Sequence, residues 1–201
     1  MKPTEQQLQE VLDKQALHDN LMRYCRGVDR MDLELMKSTY WPDSTDDHGR
    51  FVGGGYQWCQ EAMRSREVLV SCNHHVSNVY SEIERERAKR ESMFIVVTTY
   101  RDRSPIMMLG GRYRDLCEKR DGEWKILRRI CIWDWNQEFE AKPGWHLMRA
   151  PEISNWGTFH PEDPVYKDWW STPPTAAMDS GRPSVSAAHA AQTVHMGEQI
   201  C

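Results

Sequence analysis

Apolar residues near the amino terminus recur at helical spacing; they are Leu17, Leu21, Cys25 and Val28. This stripe predicts an amphipathic helix over residues 4–27 whose apolar side faces a core. Asp32 is placed to cap a second, short helix that runs toward Tyr40. Residues 56–68 repeat the helical spacing and predict a third helix. The first third of the chain is therefore predicted to be mainly helical.

From residue 72 the pattern changes to alternation with many β-branched residues, which favours strands. The predicted strands cover 72–83, 93–100, 106–119 and 124–135. The charged run 84–91 is predicted to be a solvated connection, Asp121-Gly122 a tight hairpin turn, and Gly110-Gly111 a bulge that curves its strand. Helices followed by hairpin-linked strands indicate the α+β class, with three helices packed on one curved antiparallel sheet.

Three regions are expected along the chain. Residues 1–138 suit a single globular domain, and 201 residues are enough to bury a sizeable core. Residues 139–170 contain Trp145, Trp169 and Trp170 among other aromatics, and are predicted to wrap over the domain or a neighbouring subunit. Residues 171–201 are rich in Pro, Ser, Ala and Thr and are predicted to be a mobile tail.

The composition argues against several classes of partner. The net charge of −4 provides no basic field for nucleic acid. No apolar run approaches the about 20 residues that span a bilayer, and the amino terminus lacks the apolar core of a signal peptide. A cytoplasmic location is therefore expected. The six cysteines form no C-x-x-C pair, so most are expected to be buried free thiols.

The aromatic content points to large apolar surfaces. Nine Trp, seven Tyr and eleven Met are many for this length, and they suit either a roomy pocket or a subunit interface.

A candidate reactive group lies on the first helix. Asp29 follows Cys25 by four residues, so its carboxylate lies on the apolar stripe, where a charge is costly without a partner. Asp29 could simply tie down the chain where the helix ends. Alternatively, it pairs with one of two downstream histidines, His74 or His75. Neighbouring strand residues face opposite sides of a sheet, so one histidine of the two is expected to face inward.

Four sequence pieces, taken in this order, resemble the nuclear-transport-factor-2-like superfamily, within it the polyketide-cyclase-like and scytalone-dehydratase-like group. The pieces are Tyr24 through Asp32, Tyr40 through Asp43 with Asp46 through Gly49, His74 through Asn78, and Gly111 through Asp115 with Asp121 through Ile126 and Asp134-Trp135. They span roughly residues 10–136. The resemblance implies a cone-shaped sheet over three helices, and its members include isomerases, dehydratases, dehydrochlorinases, cyclases and non-catalytic proteins.

The resemblance also implies roles for individual residues. In the dehydratase-like members an Asp near the end of the first helix orients a His that removes a proton from substrate. Carried over, these are Asp29 and His74, because the family pattern places the His four residues before an Asn. The residues expected to stabilise developing charge are Tyr24, Tyr100 and one of Arg128 and Arg129. His48 and His75 are further candidates for contacting a substrate, although His48 could equally be a turn histidine bonded to backbone.

The sequence thus favours a cofactor-independent lyase that eliminates a small group from a bulky aromatic or apolar hydroxylated substrate. Water is the commonest leaving group among the relatives, and one branch releases formaldehyde from lignin-derived diarylpropanes. An isomerase or cyclase, or a non-catalytic small-molecule-binding module, remains open. No H-x-x-x-H or H-E-x-x-H spacing is present, so no metal is expected. A homo-oligomer is expected, with the trimer slightly favoured over the dimer.

Overall fold

Three helices precede a sheet in this protein, as the sequence predicts. The computed structural model describes residues 2–102, 105–142 and 156–167. The helices are α1 (Glu5–Asp29), α2 (Leu33–Lys37) and α3 (Gly55–Met63). Asp32 caps α2 by accepting the backbone N–H of Leu35 at 3.0 Å, which confirms its predicted role. Short 3-10 helices follow at Arg64–Glu67 and Pro164–Tyr166.

The sheet has six strands and is curved and unclosed. The strands are β1 (Tyr40–Asp47), β2 (Val52–Gly54), β3 (Leu69–Glu84), β4 (Arg87–Tyr100), β5 (Pro105–Arg120) and β6 (Glu123–Glu140). Their order across the sheet is β2-β1-β6-β5-β4-β3. This confirms the α+β class. The prediction of a purely antiparallel sheet is wrong in one place, because β1 pairs with β6 in parallel.

The charged run 84–91 was predicted to be a connection, and this prediction is wrong over most of its length. Only Arg85 and Glu86 form the turn, and β4 begins at Arg87. Along β4 exposed residues alternate with buried ones, so that Ala88 and Arg90 face the interior. The charge of Arg90 is tolerated at this buried position because its guanidinium is paired with the Asp115 carboxylate, as described below.

Two predicted turn features are confirmed. Asp121 and Gly122 both have positive φ, 51° and 83°, the backbone of a tight hairpin turn. The β5–β6 register shifts between Gly110 and Gly111, which is a bulge. A Cβ on Gly110 would lie 2.1 Å from Trp135 Cε2, so only glycine lets this indole lie against the strand.

A buried ion network joins the helices to the inner face of the sheet. Asp115 on β5 accepts bonds from Arg90 on β4, at 3.0 and 2.7 Å, and from Arg129 on β6, at 2.7 and 2.8 Å. Arg90 also donates to the Leu17 carbonyl and to Asn20 on α1. Burial by itself raises the pKa of the Asp115 carboxyl, but the two guanidiniums outweigh it and hold the pKa below its ordinary value. All three residues are buried.

A segment beyond the sheet packs on the end of α1. Phe159 is buried, and the His160 N–H donates to the Arg30 carbonyl at 2.6 Å. Arg66 donates to the His160 carbonyl at 2.7 Å. These contacts belong to residues 156–167, within the region predicted to wrap over the domain. Trp145, Trp169, Trp170 and the tail 171–201 lie outside the described residues, and the proposed three-part division stays a prediction.

Two further observations concern the composition. The five cysteines in the described part of the chain are free and buried, as expected; they are Cys25, Cys59, Cys72, Cys117 and Cys131. None of the helices within the described ranges is long and apolar enough to cross a membrane.

Candidate active site

Asp29 and His74 meet on the inner side of the sheet. Asp29 lies in the last turn of α1, and its Oδ1 is 2.5 Å from Nδ1 of His74. The backbone N–H of His74 donates to the other carboxylate oxygen at 2.9 Å. That N–H is available because β3 lies at the edge of the sheet. The two side chains are only 13% and 7% exposed, so the pair is shielded from bulk water.

The hydrogen bonds fix the chemistry of the imidazole. A carboxylate only accepts hydrogen bonds, so Nδ1 of His74 carries the proton donated to Asp29 and Nε2 keeps its lone pair. The remaining nitrogen is therefore the one able to accept a proton from a bound molecule. This arrangement is that of an oriented general base.

Cys72 is a third member of this cluster. Its Sγ lies 3.8 Å from Nδ1 of His74, and burial together with the Asp29 carboxylate raises the pKa of the thiol. One ligand atom from each of Asp29, Cys72 and His74 falls within 4.8 Å of the others. Two ligands of one tetrahedral zinc ion stand about 3.3 Å apart, more than the 2.5 Å between Asp29 and His74. The distance between Asp29 and His74 is therefore that of a hydrogen bond and is shorter than the separation of two ligands on one zinc ion.

His75 is not part of this cluster. It is exposed, and strand alternation turns it to the opposite face from Cys72 and His74. The prediction that His75 contacts a substrate in the cone is therefore contradicted by its position. The choice of His74 over His75 as the partner of Asp29 agrees with the geometry.

The two arginines of β6 also face opposite ways. Arg128 is exposed and lines a groove of about 400 Å³ on the outer face, with Tyr80, Lys89 and Arg114 among its neighbours. A catalytic role for Arg128 inside the cone is contradicted by this placement. Arg129 faces inward, with its guanidinium carbon 4.0 Å from the ring centroids of both Tyr24 and Tyr113. It is fully buried, so it supports the rings around the site.

Tyr24 lies beside His48, and its hydroxyl contacts that side of the cone. The hydroxyl accepts the indole N–H of Trp58 at 3.1 Å and lies 3.5 Å from Nε2 of His48. Burial raises the pKa of Tyr24 well above its ordinary value, so the phenol stays protonated. Tyr100 is half-buried and packs against the core at the end of β4.

His48 belongs to a second Asp–His pair that the sequence analysis did not identify. Its Nδ1 makes a short contact with Oδ1 of Asp46, and the other oxygen of Asp46 accepts the Tyr40 hydroxyl at 2.6 Å. The interpretation of His48 as a turn histidine bonded to backbone misses this pair. The available signal was the D-x-H spacing, which places both side chains on one face of an extended chain.

Aromatic rings surround the second pair. The Trp58 ring stacks on the His48 imidazole at 3.7 Å between centroids. Tyr113 and Trp133 lie 6.2 and 6.5 Å from the same imidazole, and Phe94 stacks on Tyr113 at 4.4 Å. Of these rings Trp133 is 48% exposed, so it offers free apolar surface next to the histidine. The inner face of the sheet thus combines proton-accepting groups with flat apolar surfaces.

The family is decided by a match over residues 9–130 to the model of the SnoaL-like domain. The chain belongs to the SnoaL-like domain family. The suspected nuclear-transport-factor-2-like relationship is thereby confirmed. Asp29, His48 and His74 all lie within the matched region, whereas the segment 156–167 lies beyond it. No curated protein sequence matches the SnoaL-like chain.

Solved structures similar to the SnoaL-like chain share its fold. One is a candidate scytalone dehydratase from Novosphingobium aromaticivorans, at 19% identity and TM-score 0.60, covering 66% of this chain and 91% of that one. A second is the hexachlorocyclohexane dehydrochlorinase LinA type 3 from Novosphingobium barchaimii, at 16% identity and TM-score 0.61, covering 68% and 98%. A third is a candidate aromatic ring hydroxylase from Novosphingobium aromaticivorans, at 18% identity and TM-score 0.59, covering 64% and 94%.

Proposed function

We propose that this SnoaL-like protein is a cofactor-independent lyase in which the Asp29–His74 pair acts as general base. The single observation that carries the proposal is the 2.5 Å contact between the Asp29 carboxylate and Nδ1 of a shielded imidazole. An imidazole is well suited to removing protons near neutral pH. A carboxylate on Nδ1 holds the correct tautomer and stabilises the imidazolium that forms.

The reaction that suits this base is an elimination. Nε2 of His74 takes a proton from the substrate, the electron pair of that bond forms a double bond, and a small group leaves from the neighbouring carbon. Water is the leaving group we favour. Release of formaldehyde from a lignin-derived diarylpropane uses the same base, which then takes the O–H proton of a hydroxymethyl group. The C=O bond of formaldehyde forms as the C–C bond breaks, and the electron pair of that bond forms the C=C bond while hydroxide leaves the neighbouring carbon and takes up the proton as water. Both versions need only a substrate with a removable proton and a leaving group.

The substrate class is inferred from the surroundings. Trp58 and the partly exposed Trp133 lie beside His48, backed by the buried rings of Phe94 and Tyr113, which suits a bulky aromatic hydroxylated molecule. Two similar structures are named as a dehydrochlorinase and a candidate dehydratase, and both names describe eliminations. Tyr24 and Tyr100 remain candidates for stabilising charge that develops on the substrate.

An isomerase or cyclase would use the same Asp29–His74 pair but return the proton to the product. A steroid-like or polyketide-like substrate suits that alternative. The two reactions differ in product mass, because an isomerase leaves the mass unchanged and a lyase lowers it by the mass of the leaving group. A small-molecule-binding module would give no product at all.

The decisive experiment incubates the purified protein with a panel of hydroxylated aromatic compounds and follows product mass with and without EDTA. We expect a mass loss that EDTA leaves intact. His74→Ala should lower kcat by about 10²–10⁴-fold, while the exposed His75→Ala serves as the matched control and keeps wild-type activity. Equal activity in the two variants, or complete loss with EDTA, would overturn the proposal.

We also propose that the protein works in the cytoplasm as a homo-oligomer, with the trimer favoured over the dimer. Met93 and Ile95 on the outer face of the sheet are each 41% exposed, and Tyr80 beside them is 64% exposed. Exposed apolar residues on a sheet face are commonly covered by a neighbour. Size-exclusion chromatography with light scattering should therefore give a mass above that of one 23.6 kDa chain, and a monomer at working concentrations would refute the assembly.

A further inference from the structure

The Asp46–His48 pair has the parts of a second acid–base unit. Asp46 is 1% exposed and accepts both the Tyr40 hydroxyl and the Nδ1–H of His48. Because Asp46 can only accept, the proton of His48 lies on Nδ1 and the lone pair lies on Nε2. Asp46 thus orients the imidazole of His48 and fixes its tautomer, as Asp29 does for His74. The two units come from different elements: Asp29 and His74 lie on α1 and β3, whereas Asp46 lies on β1 and His48 directly follows that strand. Both units face the inner side of the sheet.

The Nε2 atom of His48 has spare capacity to accept a hydrogen bond. Its contact is the Tyr24 hydroxyl at 3.5 Å, longer than the about 2.9 Å of a strong hydrogen bond. Tyr24 itself is held by the Trp58 indole N–H. A more acidic hydroxyl on a bound molecule would compete well for this acceptor. The stacked Trp58 and the partly exposed Trp133 would flank the ring that carries such a hydroxyl.

Burial favours the neutral form of the His48 imidazole. Burial lowers the pKa of His48, and the Arg129 guanidinium and His74 lower it further, against the opposing effect of Asp46. A neutral imidazole is too weak a base to ionise an aliphatic alcohol, whereas a phenol, with a pKa near 10, is a much closer match. The chemistry at this nitrogen therefore favours a phenolic hydroxyl.

We propose that His48 binds and deprotonates a phenolic hydroxyl of the substrate while His74, across the site, removes the proton from carbon. The inference rests on the proposed lyase function and narrows its substrate class to para-hydroxyphenyl compounds with a leaving group on the benzylic carbon. Asp46 is the positioning residue for His48.

The elimination then runs in two balanced steps. First, the phenolic proton moves to Nε2 of His48, and the electron pair left on oxygen is delocalised through the ring to break the benzylic C–O bond, so that hydroxide leaves and a quinone methide forms. Second, Nε2 of His74 takes the proton from the adjacent carbon, and that electron pair forms the new C=C bond and restores the aromatic ring. The phenolic oxygen recovers its proton from His48. The proton on His74 and the hydroxide make water, so no oxidant or reductant is needed.

Equilibrium binding of two product-like probes tests the assignment without requiring turnover. The probes are para-hydroxystilbene and para-methoxystilbene, which differ only in the donor that His48 would accept. Quenching of tryptophan fluorescence should show that the wild type binds the hydroxyl compound about tenfold or more tightly, the effect of one well-placed hydrogen bond. His48→Phe, which keeps a ring against Trp58 but has no acceptor, and the isosteric Asp46→Asn should both bring the two affinities to near equality. If His48→Phe does not fold, Asp46→Asn decides the question.

Two further variants separate this inference from the proposed function. His74→Ala should keep the preference for the hydroxyl probe while it loses turnover, and the exposed His75→Ala should keep both. A wild type without elimination activity would remove the lyase proposal, yet the probe preference and its loss in Asp46→Asn would still support phenol binding at His48. Equal binding of the two probes by the wild type, or a preference that survives both His48→Phe and Asp46→Asn, would overturn the inference.

Discussion

Replacing Asp29 by Asn is expected to lower kcat by about 10³–10⁴-fold while the fold is retained. The amide oxygen of Asn can still accept the backbone N–H of His74, the bond that Asp29 makes at 2.9 Å. Its NH₂ group, however, would face Nδ1 and donate to it. Nδ1 would then give up its proton and Nε2 would carry one, so the nitrogen aimed at the substrate could no longer act as a base.

Steady-state kinetics on the substrate found in the panel would measure this effect, and far-UV circular dichroism with thermal unfolding would monitor the fold. Cys72→Ser is a matched control because it alters a neighbour of the same imidazole, whose Sγ lies 3.8 Å from Nδ1, but leaves the carboxylate in place. We expect it to stay within about tenfold of the wild type. An Asp29→Asn variant with wild-type kcat would remove Asp29 from the mechanism.

Replacing Asp115 by Asn is expected to lower the free energy of unfolding by about 3–5 kcal/mol. The variant keeps the shape of the side chain but leaves Arg90 and Arg129 without their shared carboxylate. Both guanidiniums are buried, and an uncompensated buried charge costs far more than an exposed one. Urea unfolding followed by tryptophan fluorescence measures the change. Asp43→Asn is the matched control, since it removes the exposed ion pair with Arg120 and should leave the free energy of unfolding nearly unchanged.

The same carboxylate gives the stability a defined dependence on pH. The pKa of Asp115 is lower in the folded protein than in the unfolded chain, so the unfolded state binds the proton more readily. The stabilisation is therefore fully present above the ordinary pKa of an aspartate. It is lost as pH falls from that value through the lowered pKa of the folded state. Asp115→Asn should flatten this acid limb, and an unchanged acid limb would show that the network does not control it.

The candidate base was largely predictable from the sequence. Asp29 stands out because a carboxylate on an apolar helix stripe needs a partner, and strand alternation restricts the partner to one member of the His74–His75 pair. The same alternation puts Arg128 and Arg129 on opposite faces of the sheet. The sequence does not show which of the two faces inward, because a shift in the β5–β6 register near Cys117 changes which residues of β6 do so. The choice between Arg128 and Arg129 was consequently left open.

The second Asp–His pair was harder to predict because its strand has no alternating apolar pattern. β1 reads Tyr-Trp-Pro-Asp-Ser-Thr-Asp-Asp, a polar sequence that resembles a loop. Its buried residues are stabilised by parallel pairing with β6, which is distant in the chain, and by the Tyr40–Asp46 hydrogen bond within β1 itself. Pairing with a distant strand is set by tertiary structure, and local propensity carries little information about it.

The contacts of the segment 156–167 bear on where a working fragment of this protein could end. The region shared with the family stops at residue 130, yet the carbonyl of Arg30, next to the candidate catalytic Asp29, is held by the N–H of His160. A truncation at the shared boundary would retain Asp29 and His74 but remove this anchor from the helix end, and would cut β6 short of Glu140. The smallest active unit is accordingly expected to be longer than the domain by which its ancestry is recognised.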